Sequence, residues 1–387
     1  MAGDAGVGSA ASSSPVGILT SCSASHSLVY LFVASAWGSD GLAGRQYSVY
    51  IFSVLGRQMG TKDSTGYEAH RARRAGLRAF VRDALAFLIL QCLLLAAVLT
   101  QYPVAPDDYL AAMDTKTNLL RDGNGQRVIL VGGSNMAFGV NCGQLSDGTG
   151  RDVVNLALHA GIGLHVMLRQ AESGVRTGDV VVVSLEYEHF DRRLGEELWP
   201  TLVEHQGIES EWLSWDDGAA LLDNVRYYLS GALRRTALSV AGRYTGPNAL
   251  YRASSFDRQG CIVPDVLESP EDVSSRRYFG GSYSGLRLNW ALSQLSHFVE
   301  DMKDKGATVV FVHPPTLESA YQPAQAGLKE IHKRLSESGF TVLSAPEEAV
   351  LPDRLFYDTE YHLGPEGQQR RTAWLIARLA AQASLRD

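Results

Sequence analysis

Two short stretches, far apart in the chain, hold side chains that together could carry out nucleophilic acyl chemistry. The first, Arg127–Gly139 (RVILVGGSNMAFG), is an apolar, β-branched run that breaks at Gly132-Gly133 and then presents Ser134. The second, Phe356–Gly367 (FYDTEYHLGPEG), places Asp358 and His362 in a loop ahead of the last helical segment. A serine hydroxyl is a weak nucleophile at neutral pH and needs a base within hydrogen-bond reach. Histidine takes and returns that proton near pH 7. A carboxylate on its other ring nitrogen fixes the tautomer and stabilises the imidazolium. Glycines ahead of the serine let the backbone turn sharply, so that amides face a developing oxyanion. Alone, the first stretch also reads as an ordinary strand-to-helix turn, and His362 as a surface loop histidine. Their joint appearance in this order points to a Ser134–His362–Asp358 site.

Elements that could position these groups follow from the hydrophobic pattern. Val128–Val131, Val153–Leu156, Val180–Leu185 and Thr308–Val312 are short, nearly all-apolar runs that suit parallel strands covered on both faces. Helical stretches lie between and after them: Leu164–Ser173 ended by Gly174, Leu286–Lys305 ended by Gly306, and Leu328–Ser338 ended by Gly339. The last leads into a final strand near Phe340–Leu343. This alternation predicts right-handed βαβ units and a doubly wound α/β sheet. Active sites in such sheets lie at the carboxyl ends of the strands. Ser134, Gly161, Glu186 and His313 all fall just past a predicted strand end. His313 heads a His-Pro-Pro and reads either as a substrate-side contact or as a strand end stopped by proline. Asn135 and Glu186 are further substrate-side candidates. Glu186 and Glu188 alternate on a strand-like end, and nothing else supports a glycosidase pair. Residues 195–280 break the alternation, with Trp199, Trp212, Trp215 and the amphipathic stretch Ala219–Leu238. They read as an insertion over the rim, either a lid or a glycan-binding wall.

The chain resembles the SGNH/GDSL hydrolase superfamily. Gly133-Ser134 matches that family's nucleophile block, and Val154–Gly161 (VNLALHAG) looks like its second block. Asp358 and His362 match the acid–base block, with Gly367 at a glycine often seen after it. The resemblance, which covers roughly Val128 to the C-terminus, implies a flavodoxin-like fold. It implies Ser134 as nucleophile, His362 as base and Asp358 as acid, with the Ser134 and Gly161 amides as oxyanion donors. The chain departs from the family in two ways. The acid-to-base spacing is four residues, where the family usually has three, which leaves Glu360 as a rival orienter. After Val180–Leu185 stands Glu186-Tyr187-Glu188, where the family supplies an asparagine. The phrase YDTEYHLGPEG looks more like membrane-anchored members that modify cell-envelope polysaccharides than like secreted lipases, and those members often work beside a membrane-bound O-acyltransferase.

Composition narrows the partners. The formal charge of the 387 residues is −7 and no basic stripe is visible, which argues against nucleic acid. Ala84–Gln101 (ALAFLILQCLLLAAVLTQ) carries no charge and approaches the roughly 20 residues needed to cross a bilayer. Arg71, Arg73, Arg74, Arg78 and Arg82 precede it, while Pro103, Asp107 and Asp108 follow it. By the positive-inside rule the N-terminus stays cytoplasmic and the domain after Gln101 lies outside. No convincing cleavage motif follows, so an uncleaved single-pass anchor is expected. The expected division is therefore a disordered tail with a basic flank over 1–83, an anchor over 84–101 and an α/β domain over 102–387. Met59 is an alternative start. Cys142 and Cys261 fall in the exported part, where a disulfide could persist, and two free thiols are an equal alternative. No cluster has metal-ligand spacing, and no cofactor is expected.

These readings define two functional expectations. One is a membrane-anchored esterase or O-acyltransferase whose partners are an acyl donor or acylated envelope polysaccharide. The other is a catalytically weak scaffold or glycan-binding partner of a membrane-bound O-acyltransferase. An α/β-hydrolase would need a Gly-x-Ser-x-Gly elbow, which Gly132–Met136 is not. A dinucleotide site would need Gly-x-Gly-x-x-Gly after the first strand, which is absent.

Overall fold

The computed structural model describes residues 66–101, 106–123, 125–191, 198–213, 215–243, 250–267, 273–274, 276 and 286–384. By its internal contacts the chain divides into Met1–Asp83 and Ala84–Asp387. In the first part, and continuing to Gln101, helix α1 (Gly66–Gln101) is the described element. It starts well before the apolar run, so residues 66–83, expected within an irregular tail, are helical; residues 1–65 lie outside the described residues. Within α1, Arg73–Ala97 is long and apolar enough to cross a membrane, and none of it is buried.

The second part contains a four-stranded parallel sheet in the order β2-β1-β3-β4. The strands are β1 (Arg127–Gly132), β2 (Asp152–Asn155), β3 (Val180–Ser184) and β4 (Thr308–Phe311). Their β-branched composition suits burial on both faces, and the side chains alternate accordingly. Ile129, Val131, Val181, Val183 and Phe311 join one core cluster with α5 (Leu164–Glu172), α8 (Leu286–Asp304) and α9 (Glu318–Glu337). Val128, Leu130, Val182 and Val310 join a second with α2 (Ala112–Asp122), α4 (Cys142–Thr149), α6 (Trp199–Glu204) and α10 (Pro365–Ser384). The strand expected over Phe340–Leu343 is reduced to a bridge, Phe311 to Val342, flanked by Phe311 N to Thr341 O and Leu343 N to Phe311 O. A separate two-stranded parallel ribbon pairs β5 (Thr316–Leu317) with β6 (Val350–Leu351), just after Pro314-Pro315.

The lower end of the sheet is locked by an ion pair with no solvent contact. The Arg127 guanidinium donates to both Asp179 oxygens, at 3.2 and 2.6 Å, and both side chains are fully buried. Asp179 also accepts from the Arg127 and Arg176 amides at 3.1 and 2.9 Å. The upper end is tied to the insertion. Lys116 of α2, fully enclosed, donates to the carbonyls of Asn155, Ala157 and Gly260 at 3.1, 2.6 and 2.5 Å. Burial lowers its pKa to about 7. Cys142 and Cys261 form a disulfide that fastens α4 to the same segment, so the pair left open by the sequence is bonded. The amphipathic stretch expected over Ala219–Leu238 lies within helix α7 (Trp215–Val240). Trp199 and Trp212 are buried, and the Trp199 indole donates to Ile162 O at 2.9 Å, so both serve local packing.

Candidate active site

β1 ends against β3 so closely that a Cβ on Gly132 would lie 2.1 Å from Ser184 O. The next residue, Gly133, caps the four-residue helix α3 (Ser134–Ala137), which Ser134 opens. A Cβ on Gly133 would sit 2.4 Å from the Glu186 carboxylate and 2.7 Å from the Ala160 amide. The two glycines are thus required by close approach, and they set Ser134 between the ends of β1 and β3. That place is where the strand order reverses, the usual position of a crevice in an open parallel sheet.

The loop before α10 brings Asp358 to His362. Its Oδ1 lies 2.7 Å from His362 Nδ1, and the ring is buried. A carboxylate can only accept, so Nδ1 carries the hydrogen and Nε2 is left as the basic nitrogen. The four-residue spacing is accommodated by Thr359, whose hydroxyl accepts from the Tyr361 and His362 amides at 3.2 and 3.1 Å. The Tyr251 hydroxyl donates to the other Asp358 oxygen. Burial alone would raise the Asp358 pKa; His362 and Tyr251 outweigh it and hold the carboxyl below its ordinary value.

Phe138, four residues after Ser134, stacks flat on His362 with ring centroids 4.0 Å apart and planes 5° off parallel. Two residues of α10 hold the serine turn from behind. The Gln368 amide donates to Phe138 O at 2.9 Å, and Arg371 donates to Asn135 O at 2.9 Å. The late loop and the serine turn therefore form one packed unit, although far separated in sequence.

Four other residues singled out from sequence have roles that the structure makes specific. Asn135 is not on the substrate side. It is fully buried, donating to Ser184 O at 2.9 Å and accepting from the Ser184 hydroxyl at 3.0 Å. His313 is likewise turned into the core, with its ring nitrogens 3.2 Å from the Tyr187 hydroxyl and 3.2 Å from His332. Burial, helped by His332, lowers its pKa to about 3, so it is a neutral strand-end residue. The Gly161 amide, expected as an oxyanion donor, donates instead to Nδ1 of His159 at 2.8 Å, so that role would require this bond to open. Glu186 does reach the serine turn. Its carboxylate accepts from the Gly133 amide at 3.2 Å, the Asn135 amide at 3.0 Å and the Ser134 hydroxyl at 3.4 Å. Burial opposes its charge, but His189 and the Asn135 amide prevail and hold its pKa below the ordinary value.

Tyr251, Phe138 and His159 were not anticipated. Tyr251 lies in an aperiodic insertion and gave no signal. Phe138 could have been found, since it sits one turn beyond Ser134. Among the described residues no group of His, Cys, Asp and Glu could hold a metal ion.

The Tyr251 contact yields an expected pH dependence. A depressed folded-state pKa contributes stability that is present above the unfolded carboxyl value and lost as pH falls through the folded value. Tyr251→Phe removes one donor, so the Asp358 pKa should rise and this increment should shrink. A carbon-detected NMR titration of Asp358 reads the shift directly; an unchanged titration would show that the tyrosine does not support this carboxylate.

No family model and no curated protein matches this sequence. Among solved structures, an acetyl xylan esterase (Est2A) from the rumen bacterium Butyrivibrio proteoclasticus aligns with 68% of this chain at 8% identity and a TM-score of 0.29. The aligned region spans 65% of that protein's length, and at that TM-score the likeness carries no argument about fold or activity.

Proposed function

We propose that this protein is a serine esterase or O-acyltransferase of the SGNH type, with a flavodoxin-like domain tethered to a membrane by α1. The observation that carries the reading is the packed unit of Asp358, His362 and Phe138 on the turn that presents Ser134. In this reading Ser134 Oγ attacks an acyl carbonyl carbon while His362 Nε2 takes its proton. The carbonyl electrons move to the oxygen, giving a tetrahedral oxyanion. Collapse expels the alcohol, which leaves with the proton from His362, and an acyl-serine remains. Water or a sugar hydroxyl then repeats the sequence in reverse. Water makes the protein an esterase and a sugar makes it a transferase, because both share the acyl-serine. Envelope polysaccharide as the acyl carrier, and a membrane-bound O-acyltransferase as partner, rest on the resemblance of YDTEYHLGPEG alone.

The experiment is covalent labelling of the full chain by a fluorophosphonate, with peptide mapping, alongside release of acetate from a model ester. Labelling at Ser134 together with turnover is the expected result. A second reading, a catalytically weak partner of an acyltransferase, is favoured by one feature, the capped Gly161 amide. An unlabelled Ser134 with retained glycan binding would select it.

The anchor is tested separately. The unburied apolar span and its arginine-rich upstream flank motivate an N-in, C-out arrangement. A phosphatase fused after residue 110 should be active outside the cytoplasm. Activity there of a reporter that works only in the cytoplasm would reverse the topology.

A further inference from the structure

Resting on the reading of Ser134 as nucleophile, we propose that Glu186, steadied by His189, is the residue that positions Ser134 for attack. The carboxylate accepts from three consecutive residues, Gly133, Ser134 and Asn135. It therefore fixes the backbone on both sides of the serine and, until the hydroxyl hydrogen turns to His362, holds the side-chain oxygen from a third direction. Few groups could do this. The site requires an acceptor with two oxygens and enough charge to hold two amides and a hydroxyl together.

The geometry around Glu186 is built rather than incidental. A Cβ on Gly133 would collide with both carboxylate oxygens, so the glycine leaves the room the carboxylate fills. The chain reverses after Glu186, with the His189 amide donating to Glu186 O at 3.1 Å. That turn places His189 Nε2 3.6 Å from Glu186 Oε2. His189 is fully buried, and neither of its ring nitrogens has a hydrogen-bond partner among the described residues. A buried histidine without hydrogen bonds is costly unless another interaction repays it. The Glu186 carboxylate, at contact distance from the ring, is the group placed to offset that cost.

Other ionisable groups also feel Glu186. Arg371 lies behind the turn and is drawn toward its charged form by Glu186, although burial lowers its pKa to about 9. Glu188 and Tyr109 are pushed the opposite way, after burial, by the same carboxylate. Glu188 is occupied elsewhere, accepting from the Tyr361 hydroxyl at 2.8 Å. Among these groups His189 alone is set at contact distance with no hydrogen bond of its own. Glu186 and His189 thus form a second acid–histidine pair at the rim. Asp358 orients the base, and Glu186 orients the nucleophile.

The test is Glu186→Gln in the full chain, followed by fluorophosphonate labelling of Ser134 and turnover of a model acetyl ester. Glutamine keeps the shape but turns an NH2 donor toward donors. Displacing a nucleophile by about 1 Å costs on the order of 10²-fold in rate, so kcat and the labelling rate should both fall by about that factor with KM nearly unchanged. His189→Gln should fall in the same direction by less. The double variant should be no slower than Glu186→Gln, since both act through one contact. Unchanged labelling in Glu186→Gln, a shift confined to KM, or additive losses would each overturn the proposal. If Glu186→Gln fails to fold, His189→Gln decides, because unaltered labelling there rejects the pair. Absence of labelling in the unmodified protein would instead overturn the nucleophile itself, and this inference with it.

Discussion

Replacing Ser134 by alanine is expected to remove ester turnover almost completely while leaving the fold intact. The lost group is a small, half-buried hydroxyl at the end of β1, and its bond to Glu186, at 3.4 Å, is long. Stability should therefore change little. The rate should fall by about 10⁶-fold, the scale seen when a nucleophile is deleted from a unit of this kind. His362→Ala should be nearly as severe, since the hydroxyl without its base is as inert as no hydroxyl. The decisive measurement is the double variant. Because the two residues serve one step, its rate should match that of either single variant. Independent, multiplying losses would mean that Ser134 and His362 act in different processes, and the weak-partner reading would then be preferred.

Much of this arrangement was legible because it is written in local patterns. The Val-rich runs specified strands, and β1 to β4 begin and end within one or two residues of those runs. The Asp358–His362 contact could be anticipated from a loop of known type. Other features were not legible because they arise from tertiary contact between segments with no shared pattern. Glu186 reads as a substrate-side rim residue until β1 and β3 are laid side by side, which puts it under the serine turn. Asn135 and His313 read as rim residues, yet one side chain turns inward beneath α3 and the other is claimed by Tyr187 and His332. Gly161 sits at the right strand end, but whether its amide is free depends on the rotamer of His159, two residues earlier. The strand expected near Phe340–Leu343 has the composition of a strand, but a single bridge to Phe311 is all that forms.

The second large effect is expected at the opposite end of the sheet. Asp179→Ala should destabilise the domain by about 3–5 kcal/mol, because it leaves the Arg127 guanidinium charged, enclosed and short of its counter-ion. The carbonyls of Leu120 and Gly174, which also accept from that guanidinium, cannot neutralise it. The Arg127 and Arg176 amides would lose their acceptor in the same substitution. For a domain of this size the loss corresponds to a fall in Tm of about 10 °C. Calorimetry or circular dichroism reads it. A change below about 1 kcal/mol would show that water reaches the pair and that its burial is only apparent.

The segment carrying Tyr251 is fastened at many points: the disulfide at Cys261, the Lys116 contact at Gly260, the Gln259 carbonyl on Asn155, and Ser254 on Asp107. A side chain on so constrained a stretch has little freedom left to lose. The entropy of placing the Tyr251 hydroxyl on Asp358 is spent during folding, when the bridge and the lysine contacts close, and not when a substrate arrives. Under the proposed function, binding energy from an incoming acyl group need not be diverted to assembling Asp358 and His362. It remains for the contacts that distinguish one acyl carrier from another. The insertion thus acts as a brace, and it keeps the Asp358–His362 pair preorganised whether or not a ligand is present.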